Sequence, residues 1–195
     1  MNITRPFNNE IIIINNFIFQ NEIDSVFDYV KISKEKHVPS GITSEYFSDR
    51  LIQLPTENNI TELCKDDQAR IAAGKFLENK ASIIKRITEV LQSISKENLY
   101  LTPIEGLINS SNKGMPAHFD DSPENTKNKT HYGLVLYLND NYDGGEIYYP
   151  KLSLEYKPKS GDIIIHPGTE EYMHGVRDIT NGTRYAITTF AFTHK

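Results

Sequence analysis

The chain has 195 residues, a length suited to one domain with a core of its own. Hydrophobic residues make up 38%, aromatics 10% and charged residues 24%, near globular averages, which argues against a disordered, collagen-like or membrane class. The formal net charge is -5, with 26 acidic and 21 basic side chains interspersed, so the sequence has no basic block suited to tracking a nucleic-acid backbone.

In chain order, Met1 to Pro6 lacks the apolar run of a secretory signal, and the single cysteine, Cys64, permits no intrachain disulfide. The expected compartment is the cytoplasm. Glu10 to Ile14 is continuous and β-branched, which predicts a buried strand too short to span a bilayer. A helix is predicted from Asn21 as N-cap, with Ile23, Val26, Phe27 and Val30 on one face. Lys34 to Asn59 reads as loops around a short strand, Asp49 to Leu54, and is a candidate lid. Thr61 to Lys96 reads as helical, with Ile84, Ile87, Leu91 and Ile94 forming a core stripe and Cys64 a small hydrophobe in the same part.

After Tyr100 the pattern changes to short strand-like runs separated by turns, the signature of an all-β unit of sandwich or barrel type. The runs include His131 to Leu138, Glu146 to Tyr149, Leu152 to Tyr156, Asp162 to His166, Tyr172 to Ile179 and Arg184 to Phe192. Turns are expected at Asp143-Gly144-Gly145, Lys159-Ser160-Gly161 and Asn181-Gly182. The chain therefore reads as one domain over 1–195, with an N-terminal strand and supporting helices in 1–99 and a β core in 100–195.

His118 and Asp120 stand two positions apart, so an extended strand points both to one face, where one metal ion can accept both. Alone the pattern is weak, because chance gives a His-x-Asp in roughly a third of chains with this composition. His174 adds a second imidazole. Two histidines and one carboxylate form the facial set that leaves iron three positions for a bidentate co-substrate and oxygen, whereas a structural zinc site would close with four protein ligands. Arg184 opens a later strand with a guanidinium fork suited to the far end of a dicarboxylate. Thr188 shares its face, and Tyr137 offers a phenolic donor from a neighbouring strand. A hairpin at Asn181-Gly182 brings Arg184 and His174 to one face only with an odd-length loop, Gly182 left-handed, Arg184 opposite Asp178 and Thr188 opposite His174.

At these residues the sequence resembles the prolyl 4-hydroxylase-like branch of the 2-oxoglutarate and Fe(II)-dependent dioxygenases. The resemblance runs from His118-Phe119-Asp120 through Leu136-Tyr137-Leu138-Asn139, Gly144-Gly145-Glu146, Pro158 to Asp162, His174, and Gly182 to Thr188. It implies an α+β chain, mainly β with N-terminal helices, folded as a double-stranded β-helix (a cupin-like jelly roll). It implies iron on His118, Asp120 and His174, and 2-oxoglutarate on Arg184, Tyr137 and Thr188. It also implies dioxygen as oxidant, ascorbate as a candidate accessory, and hydroxylation of a prolyl residue in a peptide or protein, with succinate as co-product. Asn109 to Ala117 lacks the tyrosines which that family often carries before the first ligand, and Phe190 stands where nucleic-acid demethylases carry a second arginine.

The rival readings are a hydroxylase of another small molecule or amino acid, a metal hydrolase on the same ligands, and a non-catalytic metal-holding jelly roll. Arg184 separates the hydrolase, which has no need of a dicarboxylate clamp. His131 is a weaker candidate for the barrel mouth, His166, His37 and His194 read as structural or solvent-facing, and alternation points Asp121 away from the metal. The segment Asp121 to Thr130 is expected to border the site.

Overall fold

A computed structural model describes residues 2–4, 10–32, 37–39, 50–104, 106–110, 112–121 and 128–194. The N-terminal half holds β1 (Asn2–Thr4), β2 (Ile12–Asn15), α1 (Gln20–Ile32), β3 (His37–Pro39), β4 (Arg50–Gln53), α2 (Ile60–Leu63) and α3 (Asp67–Ile94). The second half holds β5 (Tyr100–Leu101), β6 (Gly106–Ser110), β7 (Met115–His118), β8 (Asn128–Tyr137), β9 (Asp143–Gly144), β10 (Ile147–Tyr149) and β11 (Leu154–Tyr156). It ends with β12 (Ile163–Pro167), β13 (His174–Val176), β14 (Ile179–Asn181) and β15 (Arg184–His194).

Among the described residues, a large sheet runs β1-β2-β12-β8-β15-β6-β4-β3 with β5 added on β15, and a smaller one runs β11-β10-β13-β7. Alternation divides the large sheet's side chains between two cores. Ile12, Ile14, Leu134, Leu136, Ile163, Ile165 and Ile187 face outward onto α1 and α3, joining Val26, Tyr29, Phe76, Ile83, Ile87, Leu91 and Cys64. Their neighbours Ile13, Val135, Tyr137, Ile164 and Ala186 face inward and meet Ile147 and Tyr149 of the small sheet. This inner layer between two sheets is the interior of a jelly roll.

Several expectations are refined by hydrogen bonding. The cap of α1 is not Asn21, which lies inside the helix. Instead Phe19 N donates to Glu22 Oε2 at 2.8 Å, a carboxylate reaching back to an unpaired amide of the first turn, and Glu22 also pairs with Arg86. The stretch Thr61 to Lys96, read as helical, falls into α2 and α3 because Asp66 caps a new start, accepting from Ala69 N at 2.8 Å. The run Tyr172 to Ile179 divides into β13 and β14, with Arg177 N bonded to Glu146 O and Gly145 N to Asp178 O between them. The expected strand around Leu51 is present as β4. Residues 33–36, 40–49 and 122–127 lie outside the described residues, so half of the candidate lid Lys34 to Asn59 and most of the bordering segment Asp121 to Thr130 fall there. Among the described residues, no helix is long and apolar enough to cross a membrane.

The predicted hairpin at Asn181-Gly182 does not form. Gly182 is left-handed as expected (φ 79°), but β14 pairs with β9, while β15 crosses to the large sheet between β8 and β6. Arg184 therefore lies opposite Ser110 and not Asp178, and Thr188 opposite Val135 and not His174. His174 and Arg184 reach the interior from two facing sheets. Longer β15 gains far more backbone pairing from β8 than from the three residues of β14.

Candidate active site

The metal-ligand candidates converge. One nitrogen or oxygen from each of His118, Asp120 and His174 lies within 4.8 Å of the others. His118 ends β7 and pairs directly with His174 at the start of β13. Asp120 lies beyond the end of β7 and not within it. Asp120 N and Asp121 N both donate to Gly168 O, at 3.1 and 2.9 Å, which fixes the turn. Asp121, expected not to reach the metal, accepts from Thr130 N.

The rings are oriented by backbone carbonyls, which can only accept. His118 Nδ1 donates to Pro116 O at 3.0 Å and His174 Nδ1 to Tyr172 O at 3.2 Å, so in both rings the Nε2 lone pair is free. Those two atoms lie 3.8 and 4.0 Å from Asp120 Oδ1. Metal bonds of about 2.1 Å allow ligand separations up to about 4.2 Å, so one ion can bridge each pair.

The protonation states also suit a cation. Burial pushes the Asp120 carboxyl up, but its hydrogen bond to His166 and the adjoining His166, His174 and His118 outweigh this, and the net shift is downward. Burial, reinforced by neighbouring His166, lowers His174 to about 3 against the pull of Asp120. A carboxylate and a neutral imidazole are the ligand forms that metal binding requires.

The second half of the site is a set of buried donors with nothing to donate to. Arg184 is 4% exposed and Tyr137 fully buried. Among the described residues, Arg184 Nε, Tyr137 OH and Tyr142 OH lack hydrogen-bond partners, and no carboxylate pairs with Arg184. Asp178, which the expected hairpin would have set opposite Arg184, instead accepts from Gly114 N at 2.8 Å. The guanidinium lies 5.5 Å from the centre of the Tyr137 ring without a well-formed hydrogen bond to its hydroxyl. Burial pushes the Tyr137 phenol up to about 12, Arg184 pulling against it, and burial likewise raises Tyr142. Both phenols therefore remain donors. Buried unpaired donors cost about 1–3 kcal/mol each, which is recovered when an acceptor arrives. A carboxylate meets that need.

The supporting bonds come from the turns. Tyr137 N donates to Asp162 O and Tyr137 O accepts from Gly161 N, so the Lys159-Ser160-Gly161 turn fixes Tyr137. Asn139 holds both sides of Arg184, donating to Thr183 O and accepting from Tyr185 N, each at 2.8 Å. Thr188 is half-buried, and its cross-strand partner Val135 belongs to the inner layer. His131 is engaged elsewhere, bonded to Thr193 Oγ1 at 3.1 Å.

The sequence reading missed Tyr142, Tyr149 and His166. Tyr142 stands in a turn where no periodicity applies. His166, expected to be structural, is 1% exposed beside the ligands, with Nε2 3.2 Å from Asp120 Oδ2. Tyr149 OH bonds its other nitrogen. The signal available was parity with Ile164, but Ile163, Ile164 and Ile165 are all apolar and do not disclose which face is inside.

The jelly roll thus holds two histidines and one carboxylate within reach of one ion, a set that leaves a metal open positions, and it also buries a guanidinium. Residues 106–192 match the model of the 2OG-Fe(II) oxygenase superfamily. Human prolyl 3-hydroxylase 1 is 24% identical, the match covering 84% of this chain and 21% of that one. A PKHD-type hydroxylase of Prochlorococcus marinus is 35% identical over 33% of this chain and 30% of its own length. The chain thus spans about a fifth of human prolyl 3-hydroxylase 1, and the match to mouse prolyl 3-hydroxylase 2 covers 9% of that protein.

Solved structures share the fold. The viral collagen prolyl hydroxylase of Paramecium Bursaria Chlorella virus-1, in its 2OG complex, superimposes with a TM-score of 0.69 at 15% identity, over 95% of this chain and 97% of that one. A Trichoplax adhaerens prolyl hydroxylase in complex with a hypoxia inducible factor peptide fragment gives 0.64 at 18% identity, over 95% and 84%. A Pseudomonas putida prolyl-4-hydroxylase gives 0.62 at 14%, over 93% and 91%. The prolyl-hydroxylase-like double-stranded β-helix is the fold of this chain.

Proposed function

We propose that the chain is a 2-oxoglutarate- and Fe(II)-dependent dioxygenase that hydroxylates a prolyl residue in a peptide or protein. The observation that carries the reading is the pairing of an open metal-ligand set with buried, unpaired donors at Arg184, Tyr137 and Tyr142. Iron would be held by His118 Nε2, Asp120 Oδ1 and His174 Nε2. When bound, the iron supplies dioxygen activation coupled to decarboxylation of 2-oxoglutarate to succinate.

The remaining work belongs to side chains. Arg184 binds the far carboxylate of the co-substrate, with the Tyr137 hydroxyl and Thr188 beside it and Tyr142 as a further donor. Tyr149 and the inner aliphatic layer exclude water from the space between the two halves. Access lies on the side of His118, whose side chain is 34% exposed where those of His174 and Asp120 are 8% and 5%. Prolyl specificity is supported by the names of the similar proteins and by the peptide seated in one structural neighbour.

The test is to incubate the iron-loaded protein with 2-oxoglutarate, dioxygen and libraries of proline-containing peptides, with ascorbate added. The expected result is a peptide mass increase of one oxygen atom, matched mole for mole by succinate and located on proline. Modification of free amino acids or other small molecules, with no peptide modified, would replace the prolyl assignment. Absence of succinate with folded, metal-loaded protein would refute the activity.

A further inference from the structure

His166 is the imidazole of the cluster that the reading above leaves without a role. It lies on β12 directly opposite Gly133 of β8, and its ring centre is 4.0 Å from that of His174. The two oxygens of Asp120 are divided. Oδ1 faces the Nε2 atoms of His118 and His174, while Oδ2 lies 3.2 Å from His166 Nε2. Space for this contact depends on Gly133, where an added Cβ would sit 2.1 Å from Asp120 Oδ2 and 2.5 Å from His166 Nε2.

We propose that His166 is a positioning residue for the ligand Asp120, donating from Nε2 to Oδ2 so that the carboxylate offers the metal Oδ1 alone. The inference rests on the metal-site reading above. Its second observation is the far side of the ring, where Tyr149 OH lies 2.9 Å from His166 Nδ1. A carboxylate oxygen can only accept, so the 3.2 Å contact to Asp120 Oδ2 puts a proton on His166 Nε2. With Nε2 donating to Oδ2, Nδ1 is the ring atom that faces the Tyr149 hydroxyl, a group able to donate to it.

The consequence is geometric. A carboxylate free to rotate can bind through both oxygens and occupy a position that a bidentate co-substrate needs. The Tyr149–His166–Asp120 relay holds one oxygen out of the coordination shell. A nitrogen that donates to Oδ2 has no lone pair for the metal, so His166 is not a fourth ligand and the site remains open.

The test uses Co(II) as a spectroscopic stand-in, bound anaerobically to the full chain and to His166→Phe, His166→Gln and Tyr149→Phe, with folding followed by circular dichroism. The wild type is expected to bind Co(II). His166→Phe, which keeps a ring but no donor, is expected to lose about 10- to 100-fold in affinity and to change the visible ligand-field spectrum. His166→Gln, whose amide can donate to Oδ2, should restore the wild-type spectrum, and Tyr149→Phe should fall between.

An unchanged affinity and spectrum in His166→Phe would overturn the inference. So would a loss in His166→Gln as complete as that in His174→Ala, which would make His166 a ligand. If His166→Phe fails to fold, the contrast between His166→Gln and Tyr149→Phe decides, and equal behaviour of the two overturns the role. A folded wild type that binds no metal would refute the metal site itself, an outcome read before any variant is made.

Discussion

At the level of single residues, the site depends on which atom of each ring or carboxylate is free. Backbone carbonyls of Pro116 and Tyr172 set the two ligand rings, and the low proton affinity of His174 keeps it neutral. The same shift has a consequence for the metal-free protein. The folded state holds His174 neutral down to about pH 3, whereas an unfolded chain takes up that proton below about 6.5. Its contribution is therefore fully present above about 6.5 and lost as pH falls toward 3, on the order of 2 kcal/mol by pH 5. Urea titrations of metal-free wild type and His174→Gln should show that difference in slope with pH, and equal slopes would contradict it. Gly133→Ala, which drives a methyl group between Asp120 and His166, should cost about 1–3 kcal/mol and weaken metal binding. Thermal melts and Co(II) titration check both effects.

The grouping was legible in the residue types, since the two imidazoles and one carboxylate singled out in the sequence are the ones that converge, and the arginine singled out is buried. His166 was not, because in a strand apolar on both faces alternation has no phase. Tyr142 was not, because a turn residue's direction depends on Gly145 and Gly182 packed against its ring and backbone.

At the level of elements, turns and their polar residues place the binding groups. Asn139 follows β8 and holds the backbone on both sides of Arg184 on β15. Asn139→Ala leaves Tyr185 N and Thr183 O without those partners, which should cost about 2 kcal/mol. It should also raise the 2-oxoglutarate concentration needed for half-maximal succinate formation while leaving metal affinity unchanged. Equal loss of both would show that Asn139 supports the barrel as a whole and not the clamp. The existence of most strands was readable from β-branched runs and turn residues, and the core stripe of α3 from helical spacing. The partners of β15 were not. A hairpin with the preceding strand is the local choice, and only the large sheet, assembled from distant segments, offers the longer pairing that wins.

At the level of the whole molecule, the two faces of one sheet divide the labour. The outer face packs on α1 and α3 and stabilises the fold, while the inner face carries Tyr137, Ala186 and the site. Truncating the outer core should therefore affect stability and leave binding intact. Ile87→Ala, at a fully buried position of α3, should cost about 2–5 kcal/mol in denaturant melts with little change in Co(II) affinity below its melting range.

The central claim is that metal ligands and a carboxylate clamp share one interior. Its most direct measurement is an anaerobic titration of the protein with Fe(II) and 2-oxoglutarate, followed in the visible. A weak charge-transfer band should appear only with both present, vanish in His174→Ala, and require at least about tenfold more 2-oxoglutarate in Arg184→Ala, the loss of a charge-assisted contact. Folded wild type that binds Fe(II) yet shows no band at saturating 2-oxoglutarate, or an Arg184→Ala variant that titrates like wild type, would contradict the account.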